Sequence, residues 1–141
     1  PTQEQKDVYA TALKWLYDSI KAVKVGTTTR EIASQWPSAK EAWGYEVEDQ
    51  AAGNLWGHGL GLAQYDMPVI SRIWSLDFPV EIRPGMVFAL ETQHGKKYEW
   101  GVRIEEMMIV HEDRIELISG FPVEQITVVD AMPGYSQFIK Y

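Results

Sequence analysis

Three side chains of this sequence have the residue types of a hard metal site: His58, Glu91 and Glu105. An imidazole nitrogen together with carboxylate oxygens suits manganese, cobalt, zinc or iron. Glu91 and Glu105 are fourteen positions apart. Two antiparallel strands with a short connection need about this separation to place two residues side by side. The spacing therefore favours one shared site over two unrelated carboxylates.

The two glutamates lie in segments that the residue pattern predicts to be strands, Met86–Glu91 and Trp100–Val110. Both faces of the first segment are apolar, so Glu91 is expected to be buried. Glu105 shares its face of the second segment with Arg103 and with large apolar residues, and burial is expected there too. A buried carboxylate is costly unless an ion pair or a metal compensates it. Neutralisation of one glutamate by Arg103 is the simple alternative.

His58 lies in a glycine-rich run, Trp56–Leu62, where small residues let the backbone pack closely around the imidazole. The run does not have the GxGxxG spacing of a dinucleotide-binding loop, and the lysine and hydroxyl residues of a phosphate loop are absent. A histidine considered alone is more often structural than a ligand, and it is the combination with two carboxylates that favours a metal site. His94 and His111 are predicted to be surface residues.

The elements that must position these residues begin with helices. Thr2 and Gln5 predict a capping box, and an apolar stripe at helical spacing follows: Tyr9, Leu13, Leu16, Ile20 and Val23. Gly26 is expected to end this helix in a left-handed conformation. Thr27–Thr29 supply the next N-cap, and a short helix is expected over Ala39–Trp43. With strands at Met86–Glu91, Trp100–Val110 and Glu116–Ile118, the fold class is predicted to be α+β.

Composition limits the possible functions. The chain has 141 residues, about one domain, and its 13 basic and 20 acidic side chains give a net charge of −7. This sign argues against nucleic acid or an anionic membrane surface as partners. There are no cysteines, which excludes disulfides and thiolate ligands. With neither a long apolar run nor a signal peptide, a cytoplasmic location is expected. The aromatic segment Met132–Tyr141 is expected to dock onto the domain.

Four segments resemble the pita-bread metallohydrolases, and among these the aminopeptidase P and prolidase (Xaa-Pro dipeptidase) branch: Lys24–Thr28, Gly57–Leu62, Arg83–Glu91 and Gly101–Glu106. The resemblance runs from about residue 5 to residue 130. It implies part of a pita-bread (creatinase/aminopeptidase) fold, with N-terminal helices followed by an antiparallel sheet.

The resemblance also implies a centre of two divalent ions held by two aspartates, a histidine and two glutamates. His58 is similar to the family's metal-binding histidine, Glu91 to its first glutamate, and Glu105 to the glutamate that bridges both ions. A water made acidic by the ions would attack a peptide carbonyl that they also polarise. Trp56 and Arg103 are assigned to substrate binding.

One departure from the family concerns the two aspartates, which lie upstream of its first-helix segment. Asp7 and Asp18 lie within the predicted first helix, so their spacing is interpreted as coincidence. Residues 1–141 are therefore expected to be the C-terminal portion of a pita-bread catalytic domain, with three of five ligands. The isolated chain is expected to be inactive and to bind metal weakly or not at all. Its expected partners are the missing N-terminal part, a substrate and a second copy in a homodimer.

A second departure concerns the position seven residues after the metal histidine. The prolidase branch has a His-Glu pair there that binds substrate, whereas this sequence has Tyr65 and Asp66. A tyrosine can donate a hydrogen bond but carries no positive charge, so peptidase activity is open to question. Tyr65 and Asp66 are retained as candidate catalytic residues.

Two other functions remain open. A lyase of this fold, acting on a small zwitterion such as dimethylsulfoniopropionate, would use aromatic faces for the cation and Asp66 as a base. The available aromatic residues are Trp56, Tyr65, Trp74 and Trp100. A metal-free pita-bread module used for binding is the third possibility, although such a module need not keep three ligands.

Overall fold

The fold is taken from a computed structural model, which describes residues 1–51 and 55–128. The segment Met132–Tyr141, expected to dock onto the domain, lies outside these residues. Within the described ranges, no helix is both long and apolar enough to cross a membrane.

The first helix, α1, spans Gln3–Ala22 and begins with the predicted capping box. The Thr2 hydroxyl accepts from the Gln5 amide, and the Gln5 side chain accepts from the Thr2 amide. These bonds satisfy two backbone donors that the first turn leaves unpaired. Asp7 and Asp18 lie within α1, as expected.

Two short helices follow, α2 over Thr29–Ala33 and α3 over Ala39–Trp43, and then a 3₁₀ turn over Glu48–Gln50. Thr28 caps α2, in agreement with the predicted start. The expected role of Gly26 is wrong in part. Its φ is +86°, but α1 already ends at Ala22 with Val23 as its cap. Gly26 instead lies in the next turn, where its amide donates to the Ile82 carbonyl.

Among the described residues, one antiparallel sheet of five strands follows the helices in the sequence, in the order β2-β1-β3-β4-β5. The strands are β1 (Gly57–Gly59), β2 (Asp66–Ile70), β3 (Val87–Lys96), β4 (Trp100–Val110) and β5 (Ile115–Leu117). The bounds of β4 are those predicted, β3 extends well beyond Glu91, and β5 is shifted by one residue. Sequence reasoning missed β1 and β2. The expected α+β class agrees with this architecture.

The two faces of the sheet have different surroundings. On one face α1 packs against β3, where the Thr92 hydroxyl donates to the Ala12 carbonyl. The core on this side includes Leu16, Phe88, Leu90, Ile104 and Met108. Side chains alternate along a strand, so Glu91 and Glu105 point to the opposite face. His58 points there too, because it pairs in register with Ala89.

Candidate metal centre

Glu91 lies in the middle of the sheet and is only 6% exposed. Its Oε2 accepts a hydrogen bond from Nε of Arg103 at 2.5 Å. Its Oε1 lies 3.2 Å from Nε2 of His58. Within the described part of the chain, this buried oxygen has no hydrogen-bond partner. The carboxylate is therefore satisfied on one oxygen and open on the other. The simple alternative, an ion pair with Arg103, accounts for Oε2 but not for Oε1.

His58 presents its Nε2 to that open oxygen. The histidine is 4% exposed, and its Nδ1 lies 3.0 Å from the Gly59 carbonyl oxygen. A carbonyl oxygen can only accept, so Nδ1 carries a proton, and the Nε2 of a neutral ring then carries a lone pair. In that state two hydrogen-bond acceptors, Nε2 of His58 and Oε1 of Glu91, lie 3.2 Å apart. Ligand distances in zinc sites are about 2.0–2.2 Å each, so both atoms can reach one ion.

The glycines that flank His58 make this position possible. A Cβ on Gly57 would lie 2.8 Å from the Ala89 carbonyl oxygen, and a Cβ on Gly59 would overlap the Met67 carbonyl. Close packing of the backbone, which the glycine-rich run predicts, therefore holds the imidazole against β3.

Glu105 lies directly opposite Glu91 in the register of β3 and β4. Partial desolvation and the negative charge of Glu91 raise the pKa of the Glu105 carboxyl, while the neighbouring His58 and Arg103 lower it. The four groups therefore share one electrostatic environment. The expectation that Glu105 is buried is wrong, because its side chain is exposed. The buried glutamate of β4 is its neighbour Glu106, on the α1 side of the sheet, which sequence reasoning did not single out.

The donors fit a metal centre only in part. Among residues 1–51 and 55–128, no group of three or more histidine, aspartate or glutamate side chains is close enough to hold an ion. His58 and Glu91 form a pair, and Glu105 lies beside them. Further donors are needed to complete a site.

Tyr65 is the aromatic neighbour of His58. The two ring centroids are 4.3 Å apart, and Tyr65 is 57% exposed. Asp66 follows at the start of β2, where one of its oxygens accepts from the Met67 amide and the side chain is exposed. The structure therefore brings Tyr65 and His58 together, seven positions apart in the chain.

The assignment of Trp56 to substrate binding requires correction. Its ring is 4% exposed and packs against Trp15, Trp36 and Trp43 with centroids 5.0–6.0 Å apart. A substrate cannot reach this indole without opening the core. Arg103, the other predicted substrate-binding residue, is paired with Glu91, and 45% of its side chain is exposed.

The remaining aromatic and histidine candidates lie elsewhere. Trp74 packs against Phe78 with ring centroids 4.7 Å apart. Trp100 is the first residue of β4 and pairs with Lys96 next to the hairpin turn. The expectation that His94 is a surface residue is wrong in part, because the residue is half-buried and its ring packs 4.9 Å from that of Trp15. His111 is partly exposed and lies 2.7 Å from a Glu116 carboxylate oxygen.

This chain is similar in sequence to a known protein family and to individual peptidases. Residues 1–112 match the metallopeptidase family M24. The chain is 30% identical over 121 residues to an uncharacterized peptidase of Staphylococcus epidermidis, covering 86% of this chain and 32% of that protein. It is also 30% identical over 113 residues to an Xaa-Pro dipeptidase of Pyrococcus furiosus, covering 80% of this chain and 30% of that protein.

A solved structure, the prolidase from Pyrococcus furiosus, superimposes with a TM-score of 0.69 at 26% identity, covering 86% of this chain and 34% of that one. The chain thus spans about a third of the length of the relatives that it matches.

Proposed function

The chain belongs to metallopeptidase family M24 and has the fold of its prolidases, and from this premise we propose that the protein containing it is a metal-dependent hydrolase of the Xaa-Pro peptidase type. The predicted family and the predicted pita-bread α+β fold are both confirmed. The observation that supports activity is the buried Oε1 of Glu91, which faces Nε2 of His58 at 3.2 Å and has no hydrogen-bond partner among the described residues.

In this proposal Nε2 of His58 and Oε1 of Glu91 would hold a divalent metal, and the carboxylate of Glu105, which lies opposite Glu91 on β4, would turn towards it as a further ligand. When bound, the metal supplies a water of lowered pKa and polarises the peptide carbonyl. Arg103 holds Glu91 by its other oxygen and so fixes the direction in which Oε1 points. The hydroxyl of Tyr65, whose ring lies beside that of His58, would donate to a substrate oxygen. Asp66, which follows Tyr65 in the sequence, would act as a general acid or base.

The finer features are part of the same proposal. A centre of two ions needs donors beyond the three of this chain. We assign these to two aspartates in a preceding part of the same protein, as the family resemblance implies. Manganese, cobalt, zinc and iron all suit the donor set. A homodimer in the cytoplasm is the proposed state of the whole protein.

Hydrolysis by the complete protein tests the proposal. The protein, loaded with Mn²⁺ or Co²⁺, is expected to cleave Xaa-Pro dipeptides. His58→Gln and Glu91→Gln should each lower both the bound metal and kcat/KM, the latter by at least about a hundredfold. Glu112→Gln, which changes an exposed glutamate, is the matched control and should leave both unchanged. Full turnover by His58→Gln would contradict the proposal.

The exposed ring of Tyr65 keeps the lyase as a second candidate. This ring stands next to His58, where the prolidase branch has a second histidine, and an aromatic face can bind a sulfonium or quaternary ammonium group. Cleavage of dimethylsulfoniopropionate with no hydrolysis of dipeptides would favour the lyase. A protein that binds no metal and turns over neither substrate would be the metal-free binding module.

A further inference from the structure

A cavity of about 390 Å³ lies at the closed end of the β3–β4 hairpin, between that hairpin and the segment after α3. We name it the hairpin pocket and define it by Trp43, Tyr45, His94, Lys97 and Tyr98. Its volume is within the range of small-molecule sites, about 300–1,000 Å³. His94, the defining residue on β3 that is nearest to Glu91, lies three residues beyond it, roughly 10 Å along the strand. Its side chain points to the α1 face of the sheet, opposite to that of Glu91, so the pocket is distinct from the metal centre.

The inner wall of the hairpin pocket is aromatic. The rings of Trp43 and Tyr45 are nearly parallel, with an interplanar angle of 21° and centroids 6.3 Å apart. His94 lies behind them, with its ring centroid 5.8 Å from that of Trp43. Flat faces of this kind favour a planar ligand, because aromatic pairs gain free energy beyond the area that they bury.

His94 contributes one free polar atom to the hairpin pocket. Its Nδ1 is buried and, within the described residues, unpaired, so it cannot contact a ligand. His94 is half-buried and lines the pocket, and its other ring nitrogen, Nε2, is assigned to the ligand in the proposal below. Burial lowers the pKa of the imidazole, which keeps the ring neutral near pH 7. A neutral ring with its proton on Nε2 donates a hydrogen bond without adding charge.

Lys97 contributes the cation. Its Nζ lies 5.2 Å from the ring centroid of Tyr45 and 5.3 Å from that of Tyr98. The neighbouring Lys96 is paired with Glu4 at 2.8 Å. For Lys97, by contrast, no carboxylate partner occurs among residues 1–51 and 55–128. Two aromatic rings therefore flank an ammonium group that has no carboxylate partner in the described part of the chain.

We propose that the hairpin pocket binds a small aromatic carboxylate, with its ring against Trp43 and Tyr45 and its carboxylate between Lys97 and Nε2 of His94. A cationic ligand is disfavoured by repulsion from Lys97. A purely apolar ligand would leave that ammonium and the imidazole N–H without partners, which is costly once water is displaced. This inference does not depend on the proposed peptidase activity.

Calorimetric titration of the full chain with 2-naphthoate tests the proposal, and 2-naphthamide serves as an uncharged ligand of the same shape. We expect the carboxylate to bind at least about tenfold more tightly than the amide, since a hydrogen bond to a charged group contributes about 1.5–3 kcal/mol. Lys97→Met should remove most of this preference and leave the affinity for the amide unchanged. His94→Phe should weaken binding of both ligands.

Two controls make the result specific. Lys21→Met removes an exposed lysine of α1 and should not alter binding. Arg103→Met removes the cation of the metal centre and should not alter it either. Absence of binding at millimolar 2-naphthoate, equal affinity for acid and amide, or a loss that follows Arg103 rather than Lys97 would each overturn the proposal. Circular dichroism establishes that each variant is folded.

Discussion

Nε2 of His58 lies 3.2 Å from Oε1 of Glu91, although more than thirty residues separate the two in the sequence. β1 pairs with β3 so that His58 lies opposite Ala89, two residues before Glu91. The two side chains therefore emerge from the same face of adjacent strands. Two buried groups with open lone pairs are expensive to hold together unless a proton or a cation lies between them. This relationship underlies the proposed metal centre.

Metal binding by this chain is expected to be weak. Three donors leave most coordination positions of two ions unfilled, so titration with Mn²⁺ should give a Kd weaker than about 10 µM. His58→Gln and Glu91→Gln should weaken it further, and Glu112→Gln should not. Tight binding of two ions per chain in calorimetry would contradict this prediction.

Removal of Arg103 should destabilise the fold through Glu91. Arg103→Met leaves a buried carboxylate without its charged partner, and a loss of about 1–3 kcal/mol in the free energy of unfolding is expected. Arg83→Met breaks an exposed pair with Glu81 and should cost under about 1 kcal/mol. In urea unfolding, the double variant Glu91→Gln with Arg103→Met should recover part of the loss. Additive effects would show that the two residues are not coupled.

Substitution of Tyr65 should distinguish the two candidate enzymes. In a peptidase, Tyr65→His restores a cationic donor near the developing oxyanion and should raise turnover of Xaa-Pro dipeptides about tenfold, since a single such donor can be worth 10²–10³ in rate. In a lyase the same change should lower activity. Tyr65→Phe separates the hydroxyl from the ring. Unchanged steady-state rates in both variants would mean that Tyr65 only packs against His58.

A side chain at Gly59 should displace β1 from β2. The Cβ of Gly59→Ala overlaps the Met67 carbonyl, and overpacking of this kind costs about 1–3 kcal/mol. Gly120→Ala is the matched control, because a Cβ there has nothing within 4 Å, and its effect should be near zero. Thermal or urea unfolding measures both. Equal stability of the two variants would argue against the close packing at Gly59.

His94 should make stability depend on pH. Burial lowers its pKa in the folded chain, so the unfolded chain takes up the proton at higher pH. The free energy of unfolding should therefore fall as pH drops through about 6.5, and level off below the folded pKa. The slope should be less than the roughly 1.4 kcal/mol per pH unit of one full proton. His94→Phe should lose this slope between pH 7.5 and 5.5. An identical pH profile for the variant would contradict the prediction.

Local signals in the sequence predicted much of the fold. The helix starts at Thr2 and Thr28 were predictable because a capping box needs only residues three positions apart. The bounds of β4 were predictable because its alternation extends over eleven residues. The strands β1 and β2 were missed, since three residues of Gly-His-Gly carry no alternation. Their pairing depends on a close approach of backbones that only the folded chain shows.

The sequence by itself determined which residues are candidate donors and which face of each strand they share, because residue type and alternation are local properties. Only the tertiary structure decided which face of the sheet is covered by α1. Alternation cannot tell that α1 packs on the side of Glu106 and leaves Glu105 exposed. Nor can it tell that Trp56 is buried against Trp36, or that His94 is half-buried against Trp15 of α1. Burial results from contacts between remote segments, and so no short stretch of residues encodes it.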